Sequence, residues 1–225
     1  TIGIPVFDGE IFLKQTIDSI LEQINPVNAN SIEILFSDNN STDSTIPIIK
    51  KYQKKFPNLI SLFVNEINFG SNINFDLVIT RGKGKYVWLL GCGEIVKESS
   101  IDHLLYLLKE DTFDNVILNF DIYSEKTKKH ENSGEMSKSN CVFYNKEDVI
   151  LTKGFAISHG LSISSNIVLK ESWMKVQKMP IFAKNWMHVE RILDIMAQSN
   201  YLKTLYVHKP CFTLYREKNG WWTQE

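Results

Sequence analysis

The feature that narrows the fold most is an alternation. Up to Phe120, short apolar runs suited to strands alternate with longer stretches whose apolar residues recur at helical spacing. The first run is "TIGIPVF", and "FLKQTIDSILEQI" follows it. In that second stretch Phe12, Leu13, Ile17, Ile20, Leu21 and Ile24 share one face of a helix. The order continues with strand "SIEILFSD", helix "STDSTIPIIKKYQKKF", strand "LISLFVNE", helix "NINFDLVITRG" and strand "KYVWLLG". Helix "SSIDHLLYLLKE" and strand "NVILNF" complete it. Such an alternation makes βαβ units, whose strands lie parallel. The predicted fold class is α/β, a mixed, mainly parallel central sheet flanked by helices. Asp43 and Ser44, with Pro47 close behind, predict the start of the second helix. Ser99-x-x-Asp102 predicts a capping box on the fourth.

After Phe120 the pattern changes. Ser124 to Asn140 is polar and reads as a solvated loop or β-excursion. Helix patterns follow at Leu169–Lys178 and Trp186–Ser199, with strands at Leu202–Val207 and Cys211–Arg216. No repeat or linker divides the 225 residues, which predicts one domain with two lobes. The 25 basic and 26 acidic residues balance, giving no support to a general nucleic-acid surface. Cys92, Cys141 and Cys211 are odd in number and form no CxxC pair. That argues against a disulfide framework or a zinc site and for reduced thiols in the cytoplasm. No apolar run nears the roughly 20 residues of a membrane helix, and no signal peptide is visible. The strand-like start without Met fits a chain that starts at, or was trimmed to, its first structural element, and is compatible with a longer parent protein.

Parallel sheets bind ligands at the carboxyl ends of their strands. That rule selects Pro5 to Glu10, Asp38 to Ser41, Asn65 to Asn74, and Gly91 to Glu94. A carboxylate at Asp38 can accept hydrogen bonds from a nucleobase N–H or from ribose hydroxyls. Asp38, Asn40 and Asp43 are equally suited to form turns and caps.

Four stretches in order, "IGIPVFDGEIFLKQTIDSIL", "IEILFSDNNSTDST", "NFGSNIN" and "GKYVWLLGCGE", resemble the family-2 nucleotide-sugar glycosyltransferases of the GT-A fold. Within that family the chain looks most like abequosyltransferase-type enzymes of bacterial surface-polysaccharide assembly. The resemblance covers residues 1–98 well and the rest loosely. It implies a nucleotide-sugar-binding half over residues 1–98 and an acceptor-binding half over residues 99–225. Pro5, Val6 and Phe7 would line the nucleotide pocket, with Asp8 and Glu10 in the same loop. Asp38 would contact base or ribose with Asn40 beside it. Asn68, Gly70 and Asn74 would help enclose the donor, and Gly70 also suits a turn at positive φ.

The match breaks at Gly91-Cys92-Gly93-Glu94, where the family carries two or three acids. Those acids hold Mn²⁺ or Mg²⁺, which neutralises the departing diphosphate. Here Cys92 and Gly93 replace two of them, and Glu94 matches the final metal-binding acid. Three readings stand: a metal held through Glu94 and the diphosphate, catalysis without metal through helix N-termini and basic side chains, or lost activity. Cys92 has no neighbouring His and reads as a small buried or rim thiol.

Inverting transfer also needs one general base. In "NWMHVERILDIMAQ" the apolar face is Trp186, Val189, Leu193 and Met196. Glu190 matches the family's acid-x-x-Leu spacing as base, and His188 is the rival, about 200° away around a helix. His159 falls where the family lines its acceptor site, and suits a structural loop equally. Arg216 would meet the diphosphate, and Trp221 and Trp222 would stack on a sugar or pack as a lid. The implied partners are a nucleotide-diphosphate sugar and a glycan or lipid-linked oligosaccharide, at the inner face of a bacterial plasma membrane. A silent module that binds nucleotide or glycan is the alternative. A nucleotidyltransferase would need a Gly-rich phosphate loop and an N-terminal basic signature, and neither is present.

Overall fold

The strand runs form β1 (Ile2–Val6), β2 (Ile34–Asp38), β3 (Ile60–Val64), β4 (Tyr86–Leu89) and β6 (Asn115–Ser124). The short β5 (Ile95–Val96) precedes β6, and β7 (Lys129–Asn132), β8 (Cys141–Phe143), β9 (Asn166–Leu169) and β10 (Thr204–Arg216) follow. The helices are α1 (Glu10–Leu21), α2 (Thr45–Lys55), α3 (Ser71–Arg81), α4 (Ser100–Glu110), α5 (Lys170–Lys175) and α6 (Met187–Gln198). These come from a computed structural model that describes residues 1–132, 137–144, 162–177, 187–198 and 202–216.

All the strands join one sheet in the order β3-β2-β1-β4-β9-β6-β10-β5, with β7 on β6 and β8 on β10. The β3-β2-β1-β4 half is parallel. β9 lies antiparallel between β4 and β6, so β6 runs with β4, and β10 runs parallel to β6. The six long-range strands β3, β2, β1, β4, β6 and β10 therefore share one direction, while β5, β7, β8 and β9 oppose it. Pro5 lies beyond the β1–β4 pairing, which ends at Gly3–Leu89, so its missing N–H costs no ladder bond.

The parallel strands β1, β2 and β4 are buried on both faces, as their continuous apolar runs require, whereas the edge strand β3 exposes Phe63 and Val64. Ile4, Phe36 and Ile60 face Leu13, Ile17 and Ile20 of α1 and Ile49 of α2. The alternate residues Leu35, Val87 and Leu89 face Phe75, Val78 and Ile79 of α3, Trp173 of α5, and Ile192 and Ile195 of α6. Each such side chain contributes about 1.5–3 kcal/mol when fully buried.

Several expectations change in detail. The predicted capping box fails: Ser99 sits at φ 64 and its side chain makes no cap. Asp102 Oδ1 instead accepts from Asn28 Nδ2 at 2.8 Å, tying α4 to the α1–β2 connection. Asp43 Oδ1 accepts the Thr45 N–H at 2.9 Å and caps α2, whereas Ser44 makes no side-chain cap. The polar stretch from Ser124 contains β7, paired with β6. The two predicted C-terminal strands are one, β10, whose register against β6 shifts between Val207 and Phe212 around Pro210. On α6 the buried face is Met187, His188, Val189, Arg191, Ile192, Ile195 and Met196. Of the expected apolar face, Val189 and Met196 are buried as predicted, whereas Leu193 is 39% exposed, because it lies at the edge of the stripe centred on His188, Ile192 and Ile195. Trp186 lies outside the described residues.

Phe36 is fully buried between the central strand and α1. Phe36→Ala is expected to lower stability by about 3–5 kcal/mol, read as a lower urea midpoint at unchanged slope.

Candidate active site

The register places Val6, Asp38 and Val64 in one row across β1, β2 and β3. The loops after these strands therefore leave the sheet at one level. Two of them are stapled together. Asp8 Oδ1 accepts the Thr42 N–H at 2.7 Å, and Glu10 Oε2 accepts the Ser44 N–H at 2.9 Å. In return the Gly9 N–H donates to Thr45 Oγ1 at 2.7 Å and the Glu10 N–H to Asp43 Oδ2 at 3.0 Å. Asp8 adopts φ 46 and Asn40 φ 66, left-handed conformations that Asp and Asn tolerate better than most residues. Asp38 is fully buried, and its carboxylate accepts the Ser41 N–H at 2.9 Å and the Ser41 hydroxyl at 2.5 Å. The turn-forming role of Asp38 is thus visible directly. Pro5 and Val6 are buried in the sheet, so the half-buried part of this loop begins at Phe7.

A chain of amides secures the next loop. Arg81 Nη1 donates to Ser37 Oγ and to Asn65 Oδ1, both at 2.9 Å. Asn65 Nδ2 donates to Asn39 Oδ1 at 3.0 Å and to Asn74 Oδ1 at 3.2 Å. Asn39 Nδ2 donates to Asn68 Oδ1 at 2.5 Å, and Asn68 Oδ1 also accepts the Gly70 N–H at 2.9 Å. Gly70, at φ 82, begins α3. Asn74 is buried, and its Nδ2 donates to the Ser37 carbonyl at 2.9 Å. Of the residues expected to enclose a donor, Asn68 and Gly70 lie on the exposed loop, while Asn74 anchors α3 to β2. Arg81 was not singled out from sequence, and Asn39 and Asn65, though inside the selected stretches, were given no role. Their signal was an Asn directly after each of β2 and β3, in "FSDN" and "FVNE".

At the end of β4 the Gly91 N–H donates to Ser164 Oγ at 2.8 Å, and Trp88 Nε1 donates to the Ser164 carbonyl at 2.7 Å. Ser164 lies in the short helical turn before β9 and also hydrogen-bonds the Glu94 carboxyl. A Cβ on Gly91 would stand 3.0 Å from Glu94 Oε1, so the glycine leaves room for that carboxyl. Glu94 is 3% exposed, and its Oε2 has no hydrogen-bond partner. An unpaired buried polar atom costs about 1–3 kcal/mol, and a site that retains one calls for a ligand or a functional reason. Burial pushes the Glu94 carboxyl up to about 8, with the Ser164 hydrogen bond working against it. The Cys92 thiol is buried against the Gly9 carbonyl at 3.9 Å, and burial pushes it up to about 12. It is a protonated, inert thiol at neutral pH.

The other candidate acid approaches from α6. The Met187 N–H donates to Asn72 Oδ1 at 3.2 Å, which holds the start of α6 against the first turn of α3. His188 is 3% exposed and packs edge-on against Phe75, with ring centroids 5.7 Å apart. Glu190 is half-buried on the more open side of the helix. Arg216 ends β10 opposite Ser124. His159, Trp221 and Trp222 lie outside the described residues.

The family model of glycosyl transferase family 2 matches residues 1–173. The chain belongs to this family. It is 27% identical over 193 residues to an uncharacterised glycosyltransferase of Mycoplasma genitalium, covering 73% of this chain and 64% of that protein. It is 30% identical over 98 residues to the abequosyltransferase RfbV of Salmonella typhimurium, covering 44% of this chain and 29% of that one. S. aureus TarS in complex with UDP-GlcNAc shares the fold at TM-score 0.74 and 13% identity, over 99% of this chain and 60% of that one. The architecture is the GT-A one. The chain spans less than two thirds of each of these proteins.

GT-A enzymes typically use a divalent metal, and GalNAc-T7, similar at TM-score 0.67 and 15% identity over 97% of this chain and 44% of that one, is described with Mn²⁺. The donor set of this family member does not fit a protein-chelated ion. Cys92 is a protonated thiol turned to Gly9, and Gly93 brings no donor atom. Asp8 and Asp38 are spent on backbone and hydroxyl groups. Among the described residues no three His, Cys, Asp or Glu side chains come together. Glu94 offers one buried oxygen without a hydrogen-bond partner.

Gly93 sits at φ +107, where any side chain is strained. Gly93→Asp, the exchange that would restore a family acid, is expected to cost about 1 kcal/mol or more of stability, measured by urea denaturation. Because the Glu94 carboxyl is raised when folded, it contributes stability that is present below the unfolded value and lost as pH rises through about 8. Glu94→Gln is therefore expected to gain stability relative to the unchanged protein between about pH 5 and about pH 8. Equal midpoints for the two proteins at both ends of that range would show the carboxyl is not desolvated.

Proposed function

We propose that the protein transfers a sugar from a nucleotide-diphosphate sugar to a hydroxyl of a glycan or lipid-linked glycan, with inversion, in bacterial surface-polysaccharide synthesis. Membership of glycosyl transferase family 2 supports the reaction class. Relatives named as an abequosyltransferase and as a poly(ribitol-phosphate) beta-glucosyltransferase support the surface-glycan setting. The observation that carries the reading is the free, buried Oε2 of Glu94 at the carboxyl end of β4. It is a polar group held ready at the place where parallel sheets receive ligands.

In this reading residues 1–98 take the donor and residues 99–225 the acceptor. α1 and α3 both begin at the ligand end of the sheet, and helix N-termini favour the diphosphate. Glu94 hydrogen-bonds the donor beside the breaking bond. Glu190 takes the acceptor proton, because it is the more open of the two rivals, while His188 is committed to the packing of α6 on α3. No helix among the described residues is long and apolar enough to cross a membrane.

The test is transfer and hydrolysis with UDP-, GDP-, CDP- and dTDP-sugars, with Mn²⁺, Mg²⁺ or EDTA. One donor is expected to turn over, and EDTA is expected to leave most of the rate, given the missing chelating set. Strict loss in EDTA with rescue by Mn²⁺ would overturn the metal-free reading. Glu190→Gln is expected to lower kcat by about 10²–10⁴ with the donor KM little changed. A fully active Glu190→Gln enzyme removes Glu190 as base. Nucleotide binding without turnover of any donor would favour the silent module, which the loss of two family acids at Cys92 and Gly93 makes the second reading.

A further inference from the structure

Three aromatic rings form a row across β7, β6 and β10. Tyr123 lies opposite His130 on one side and Tyr215 on the other. The ring centroids are 5.0 Å apart for Tyr123 and His130 and 5.2 Å apart for Tyr123 and Tyr215. None of the three is buried: Tyr123 and Tyr215 are half-exposed, and His130 is exposed. The alternation of the strands settles which face they occupy. Phe120, Ile122, Phe212 and Leu214 point into the core against α1 and α4, so Tyr123 and Tyr215 stand on the opposite face.

The row also has a fixed relation to the candidate site. Thr213, two residues before Tyr215, lies opposite Ile95, the residue directly after Glu94. On the same face, Asp121 opposite Thr213 is ion-paired with Lys97, which follows β5. The sheet therefore places Tyr215 one strand from β5 and the turn that carries the free carboxyl oxygen, with Tyr123 and His130 on the next two strands outward. The donor end of the sheet, at the loops after β1, β2 and β3, is on the other side of that turn.

We propose that Tyr123 and Tyr215, with His130 at the outer end, form a stacking platform for a pyranose ring of the acceptor glycan. The proposal rests on the glycosyltransferase reading and assigns its acceptor side. A pyranose presents one face of C–H groups and a rim of hydroxyls. Half-exposed tyrosines match both, offering ring faces to the C–H groups and O–H groups to the rim. Asp121 and Lys97 sit beside the row as further hydrogen-bonding partners. Cross-strand aromatic pairs also stabilise sheets by themselves, so the test needs a readout that stability does not move.

Methyl glycosides of glucose, galactose and N-acetylglucosamine serve as probes for the full chain, by saturation-transfer NMR, with UDP binding followed in parallel by calorimetry. The expected result is saturation of the sugar ring protons in the unchanged protein and in Tyr123→Phe and Tyr215→Phe. In Tyr215→Thr, a strand-compatible exchange, and in Tyr123→Ala, glycoside affinity should fall about ten-fold, with UDP affinity unchanged. Unchanged UDP affinity also certifies that each variant is folded. No saturation in the unchanged protein, or equal saturation in all variants, overturns the platform. A parallel loss of UDP affinity in Tyr215→Thr would mean the tyrosine supports the donor side instead, and also overturns it. Failure of the unchanged protein to bind any of UDP, GDP, CDP or dTDP is a different failure, that of the glycosyltransferase reading itself.

Discussion

Everything at the ligand end depends on the in-register parallel pairing of β1 with β2 and of β2 with β3. Because Val6, Asp38 and Val64 stand in one row, the three loops that follow begin at the same height and can bond one another. A slip of one residue would turn every core side chain of a strand to the wrong face. Phe36 would exchange places with Leu35, and the two cores on either side of the sheet would both be lost. The register is thus fixed by burial, and the loops inherit their positions from it.

The loops then convert position into rigidity by satisfying one another's polar groups. Asp8 and Glu10 accept from the backbone of the β2–α2 turn, and that turn's Asp43 and Thr45 accept in return. Arg81 reaches back from the end of α3 to fix Asn65, through which Asn39 and Asn68 are fixed. Each bond adds only about 0.5–1.5 kcal/mol net, but breaking a buried one, such as that from Asn65 to Asn39, leaves a buried amide unpaired at a higher cost. The consequence is a pre-arranged rim at the carboxyl ends of the strands, beside which the buried Glu94 Oε2 has no hydrogen-bond partner.

Much of this was legible in the sequence. The alternation of apolar runs gave the strands of the first half, and the helical stripe gave Leu13, Ile17 and Ile20 their places in the core. The four ordered motifs led to the family that residues 1–173 match. What stayed hidden depends on tertiary partners. Asp102 looks like a capping residue until Asn28, 74 positions away, takes its oxygen. Asn74 looks like a ligand residue until its amide is seen on Ser37. The burial of His188 against Phe75 is visible only once α6 is docked on α3. Ser164, far from any motif, could not be linked to Glu94 without the β4–β9–β6 pairing that brings its turn to the end of β4.

The departure at Gly91-Cys92-Gly93-Glu94 has a physical logic of its own. The turn runs through φ +107 at Gly93, a conformation that a carboxylate side chain would strain. Cys92 fills a buried position against Gly9, where a second charge would be desolvated without a partner. The backbone path and the packing therefore accommodate the replacements as a set; they are not two isolated losses in an otherwise acidic site. Glu94 is retained under the opposite condition: it is just as buried, yet one oxygen is held by neither Ser164 nor the backbone. Two acid positions have been absorbed into packing and one has been kept open at a cost in stability.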